Sequence, residues 1–193
     1  MDPLESAAFG LALGFSLAAP PGPMNALIAA ASTRSARAGT LTGLGAMTAD
    51  LLLGAVVLSV STWIDLRPIV RPVDAVGAVA MAYFGVRLLR RWDEALPAVG
   101  ADSRTFSQAL AFGLGNPFQV LWWLTAGLAF ARLGGVVLLG GLFGAIAVWI
   151  VVFPTAVHAG VQRRPGLGRA IALASGAILL AFAAYFALLA VGA

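Results

Sequence analysis

Three prolines and a glycine occupy four consecutive positions, Pro20-Pro21-Gly22-Pro23, near the middle of the first apolar run of the chain, roughly residues 7–30. A run of that length can cross a bilayer, for which ~20 apolar residues suffice. Each proline removes a backbone N–H and drives its ring at the carbonyl four residues back. Regular helix is therefore not expected through this block. The carbonyls of Ser16, Leu17 and Ala19 then need other partners. Broken backbone at that depth survives only where protein or a water-filled cavity covers it. The first span thus reads as two half-helices around an irregular turn, a known way to build a transport site.

The rest of the chain fits that reading. It has 193 residues, 61% of them hydrophobic and 10% charged, with a mean hydropathy of +0.95. A soluble domain this small cannot hide so many apolar residues, so residues 1–193 read as one all-α integral membrane domain in a lipid bilayer. There are no cysteines, which excludes thiol redox chemistry and Cys-ligated metal. All twelve basic residues are arginine. In a membrane chain they mark cytoplasmic loops and not a nucleic-acid partner. The amino terminus, Met1-Asp2-Pro3-Leu4-Glu5, is acidic. A cleaved signal peptide would start basic, so the first span is expected to be retained.

Six spans are predicted, at about residues 7–30, 40–60, 73–89, 106–131, 134–157 and 170–191. The longest connection, 90–105, mixes both charge signs and reads as a linker between residues 1–91 and 104–193. Arg34, Arg37, Arg87, Arg90, Arg91, Arg104, Arg163, Arg164 and Arg169 fall on the odd loops and their flanks, against Arg67, Arg71 and Arg132 on the even ones. Nine against three places the odd loops in the cytoplasm and both termini outside, with dual insertion as the alternative. Trp63 and Trp92 stand at span ends, where interfacial aromatics belong.

Three spans per half means the second half enters the membrane from the opposite side. That is the geometry of two inverted three-helix repeats. The fourth span carries Gly113-Leu114-Gly115-Asn116-Pro117 near its centre. Spans one and four, the corresponding elements, are thus both interrupted at mid-membrane. Such a pairing points to a site at the repeat interface.

Asp50, in Met47-Thr48-Ala49-Asp50, is the one acid deep within a span, whereas Asp74 lies at a span end. A lone charge at the bilayer centre costs ~2.5–3.5 kcal/mol on insertion scales, so Asp50 should face the bundle interior or water. Either it is protonated, or it ionises and meets a cation that comes and goes. The structural alternative is that it caps a broken half-helix. Asn25, Asn116 and Gln119 cluster at the breaks. For the asparagines, ligand contact and satisfaction of orphaned backbone groups are equally open readings. A half-helix N-terminus suits a carboxylate. The candidate binding residues are therefore Pro21, Gly22, Pro23, Asn25, Asp50, Asn116, Pro117 and Gln119.

Blander readings hold elsewhere. Ser16, Ser32, Thr42 and Thr48 read as glue between helices. The pairs Gly10/Gly14, Gly39/Gly43 and Gly140/Gly144 read as close helix packing, with a homodimer face as the second reading. Trp122, Trp123 and Trp149 read as lipid- or core-facing, with cavity lining second. His158 is placed at the interfacial end of span five, and Pro154 is expected to kink that span. No catalytic motif, cofactor motif or metal-ligand cluster is present, and a lone aspartate does not make an aspartyl protease.

Pro21-Gly22-Pro23, then Ser32-Thr33-Arg34-Ser35-Ala36-Arg37-Ala38-Gly39, then Gly43 through Asp50, resembles the first half of the LysE/RhtB family of amino-acid exporters. Phe84-Gly85-Val86-Arg87-Leu88-Leu89-Arg90 and Phe106-Ser107-Gln108-Ala109 through Gly115-Asn116-Pro117 extend the resemblance over nearly the whole chain. Many members carry a lysine after Asn-Pro, where this chain has Phe118, and a Pro-Gln-Phe element absent from residues 125–132. The resemblance implies proton-driven efflux of amino acids or derivatives across a bacterial inner membrane, with no cofactor. The alternatives are a metal-cation exporter of the same superfamily and a non-transport subunit of a membrane complex.

Overall fold

The computed structural model describes residues 2–19, 21–60, 70–90, 102–124 and 128–191. Trp63, Trp92, Arg67, Arg91 and most of the 90–105 linker lie outside them, as does Pro20. Among the described residues the structure is helical with no strand. In chain order the helices are α1 (Pro3–Ala18), α2 (Pro23–Ser32), α3 (Ala36–Val60), α4 (Val70–Arg90), α5 (Asp102–Leu114), α6 (Pro117–Trp122), α7 (Leu128–Arg163) and α8 (Pro165–Val191).

Local chemistry sets the ends of the first pair. Asp2 opens α1 with a capping box, its carboxylate accepting from the Glu5 amide at 2.8 Å while its own amide donates to Glu5 Oε2 at 3.2 Å. α1 ends at Ala18, and the extended Gly22 stands before α2. Pro23 then starts α2 at its first position, where a missing N–H costs nothing. The two helices meet at 75°. The second expected break lies between α5 and α6. There Asn116 caps α6, its side-chain oxygen accepting from the Phe118 amide at 3.1 Å.

Among the described residues, three helices are long and apolar enough to cross a membrane: Ala36–Val60, Gly135–Arg163 and Gly166–Val191. The bent pair α1 and α2 makes a fourth if counted as one span. At 1.5 Å per residue α4 is ~30 Å long, and it carries Arg71, Asp74, Arg87 and Arg90. Large apolar side chains such as Val56, Val79, Val136 and Leu188 point outward, as a bilayer would require.

Glycines build the packing seams. A Cβ on Gly10 would overlap the Leu138 carbonyl oxygen, and one on Gly141 the Ala7 carbonyl oxygen, so α1 lies backbone to backbone on α7. Gly45 and Gly113 bring α3 and α5 together, with an added Cβ on Gly113 only 2.6 Å from that of Ala49. Gly85 and Gly176 face each other across α4 and α8. Between α2, α4, α5 and α8 sits a core of Ala30, Met81, Phe112, Leu179 and Phe186.

Several expectations need correction. Gly140 has open space around it, and Gly144 only touches Leu11; the close contact belongs to Gly141, because α1 approaches that side of α7. Ser16, Ser32, Thr42 and Thr48 do not glue helices together. Each hydroxyl donates to a carbonyl three or four residues back in its own helix, the local bond these side chains favour. Pro154 lies within α7 without interrupting it. The non-helical residue is Gly135, at φ 55°, a value that favours glycine.

Candidate functional site

A cavity of about 90 Å³ lies where the bend between α1 and α2 meets α3, α6, α7 and α8. Several waters would fit, at a minimum of ~10–15 Å³ each. Pro21, Gly22, Pro23, Asn25, Asp50, Asn116 and Gln119 all line it. Thus two breaks far apart in sequence, and the acid of span two, share one space. Pro117 does not line it. Its ring packs on Gly77 of α4, where a Cβ would overlap it.

Asp50 is 7% exposed, on the inward side of α3. Its Oδ1 accepts a hydrogen bond from the Trp123 indole Nε1 at 3.1 Å. That donor is neutral, and it is not a half-helix backbone N–H. The capping alternative is therefore not what the structure shows. Trp123 follows α6, where the helix widens into a π turn at residues 123–124, a feature frequent at functional sites. Gly54 leaves room for its ring, since a Cβ there would stand 2.7 Å from it.

An amide relay ties the second break to α3. Asn116 Nδ2 donates to Gln119 Oε1 at 3.1 Å, and Gln119 Nε2 donates to the Ala46 carbonyl at 3.4 Å. A second relay ties the first break to α7. Asn25 Nδ2 donates to the Ala18 carbonyl at the end of α1. The Trp149 indole donates to Asn25 Oδ1 at 3.2 Å. Both asparagines thus satisfy backbone groups that the breaks release, Asn25 a carbonyl and Asn116 an amide.

The two half-helix starts differ. Asn116 fills the N-terminus of α6 with its own side chain. No side chain caps α2. Gly22, Pro23, Met24 and Asn25, at the start of α2, line the cavity, and a helix N-terminus is the positive end of its dipole.

Sequence reasoning placed Trp123 and Trp149 first against lipid or core. Trp123 is indeed core, at 1% exposed, yet it is also the donor to Asp50. Trp149 lines the cavity and stacks on Phe153 with ring centroids 5.0 Å apart. The available signal was chemical: a buried indole N–H usually finds an acceptor. Asp74, read as a span-end residue, is buried, with its Oδ1 lacking a hydrogen-bond partner among the described residues. His158 joins α7 to the end of α2. Its Nδ1 lies 3.1 Å from the Ser32 carbonyl oxygen, so Nδ1 carries the proton and donates.

No curated protein and no solved structure matches the chain. A model of translocators, not of enzymes, matches nearly its whole length, in keeping with a multi-pass membrane protein built from apolar helices. The chain belongs to the LysE type translocator family, over residues 15–190.

Proposed function

We propose that the protein exports amino acids or closely related metabolites from the cytoplasm by proton antiport. The observation that carries this reading is Asp50 on the wall of a cavity that both interrupted segments line. The carboxylate takes the substrate ammonium group or a proton, one at a time. The uncapped start of α2 takes the substrate carboxylate. Competition for one acid suffices to couple the two fluxes.

In this reading the chain makes six spans as two inverted repeats, 1–91 and 104–193, in a bacterial inner membrane. Part of the packing supports it, although among the described residues α2 on α3 has no comparable α6 on α7. The pair α1 on α7 answers α5 on α3, α2 on α8 answers α6 on α4, and α4 on α8 answers itself. Three odd-loop sites also gather at one end of the bundle. Burial and the nearby charge of Arg87 lower the Arg34 guanidinium below its ordinary value, and His158 reaches the Ser32 carbonyl beside them. That arginine-bearing end is cytoplasmic in this reading, which leaves both termini outside.

The test is flux in proteoliposomes under an imposed pH gradient, with a panel of labelled amino acids. Gradient-driven movement of one class, lost in Asp50→Asn, is expected. Wild-type rates in a well-folded Asp50→Asn protein would remove Asp50 from the coupling step.

A further inference from the structure

Among the described residues the cavity wall carries one ionisable side chain, Asp50; Asn25, Asn116, Gln119 and the Trp149 indole supply neutral polar groups. The remaining wall is apolar and includes Met24, Met47, Ile146, Phe118 and Phe182. The two phenylalanine rings meet edge to face at 6.5 Å. We infer that this cavity selects amino acids with an uncharged, apolar side chain of middle size, such as leucine or methionine. The inference rests on the transport reading above, which supplies the ammonium position at Asp50 and the carboxylate position at the start of α2.

Charge balance argues for it. A zwitterion brings one cation and one anion, and the cavity offers one partner for each. A lysine or arginine side chain would bring a second cation with no second carboxylate on the wall. A glutamate side chain would bring a second anion into a space already holding Asp50. Either leaves an uncompensated charge within the membrane, a penalty of roughly 100-fold in binding. An apolar side chain has no such penalty, and each methylene it buries strengthens binding about fourfold. Size argues for the upper limit. The space is about 90 Å³, and the bulky rings of Phe118 and Phe182 are part of its wall.

The experiment is competition against labelled leucine counterflow in proteoliposomes of the full chain. Leucine and methionine should compete best, alanine roughly 60-fold less well at about fourfold for each of three missing carbons, and lysine and glutamate not at all at equal concentration. Flux of lysine or glutamate without flux of leucine would overturn the inference and leave the transport reading standing. No flux of any amino acid by folded protein would overturn both. Met47→Glu, which adds a second carboxylate to the apolar wall, should admit lysine. Phe182→Ala, which widens the wall without adding charge, should shift preference toward phenylalanine. A folded variant of either kind with unchanged selectivity would count against the assigned wall.

Discussion

The indole of Trp123 donates to the carboxylate of Asp50 at 3.1 Å, with both side chains buried. The bond crosses from the segment after α6 to the inner face of α3. It therefore fixes the one cavity acid relative to the second backbone break.

Trp123→Phe removes that donor together with part of a buried ring, so a cavity adds to the loss. A buried acceptor deprived of its donor costs ~1–3 kcal/mol. The thermal midpoint of the purified protein should fall by several degrees, and flux should drop by about tenfold or more. Midpoint and flux both at wild-type values would show that Asp50 does not depend on the indole.

Asn25 and Trp149 act in series, since one side chain satisfies Ala18 and accepts from α7. Asn25→Ala orphans a carbonyl at the break and also strands the indole. Trp149→Phe loses only the second bond and keeps a ring against Phe153. The first variant should be the more destabilised, by ~1–3 kcal/mol. The double variant should be no worse than Asn25→Ala by more than a few tenths. Simple additivity in a double-mutant cycle would refute the series arrangement.

Gly10→Ala and Gly140→Ala make a matched pair of substitutions at one helix seam. The first puts a methyl group into the Leu138 carbonyl, and overpacking of this kind costs ~1–3 kcal/mol. The second meets nothing within 4 Å and trades a flexible residue for a helix former, a gain of ~0.5–1 kcal/mol. Opposite signs in unfolding measurements are expected. Equal effects would mean that α1 does not sit on α7 as described.

His158→Ala removes the donor that α7 offers to the Ser32 carbonyl, one of the last and otherwise orphaned acceptors of α2. The loss should be ~1 kcal/mol. His158→Asn, which places an amide N–H near the position of Nδ1, should recover most of it, whereas His158→Leu should not. Recovery by leucine would assign the histidine to packing alone.

What the sequence made legible was chemistry local to a few residues. Prolines act on the carbonyls behind them, so the breaks at Pro21–Pro23 and Asn116-Pro117 could be read without a partner in view. An acid in an apolar run is conspicuous, so Asp50 stood out as well. What stayed hidden depends on which faces meet. Four-residue spacing drew attention to Gly140 and Gly144, but the residue under α1 is Gly141, and spacing says nothing of where a neighbour lies. The serines and threonines bond within their own helices because a carbonyl one turn back is always within reach. The link from Trp123 to Asp50 spans 73 positions and leaves no local trace.

The glycine seams also determine which parts of the protein can travel as rigid bodies. The tightest contact of α1 is with α7, and that of α5 is with α3. Each half of the chain lends its opening half-helix to the other, like two dovetailed joints. A hinge at the linker that swung residues 1–91 away from 104–193 would tear both joints open. Any motion that keeps both joints closed must carry α1 with α7 and α3 with α5.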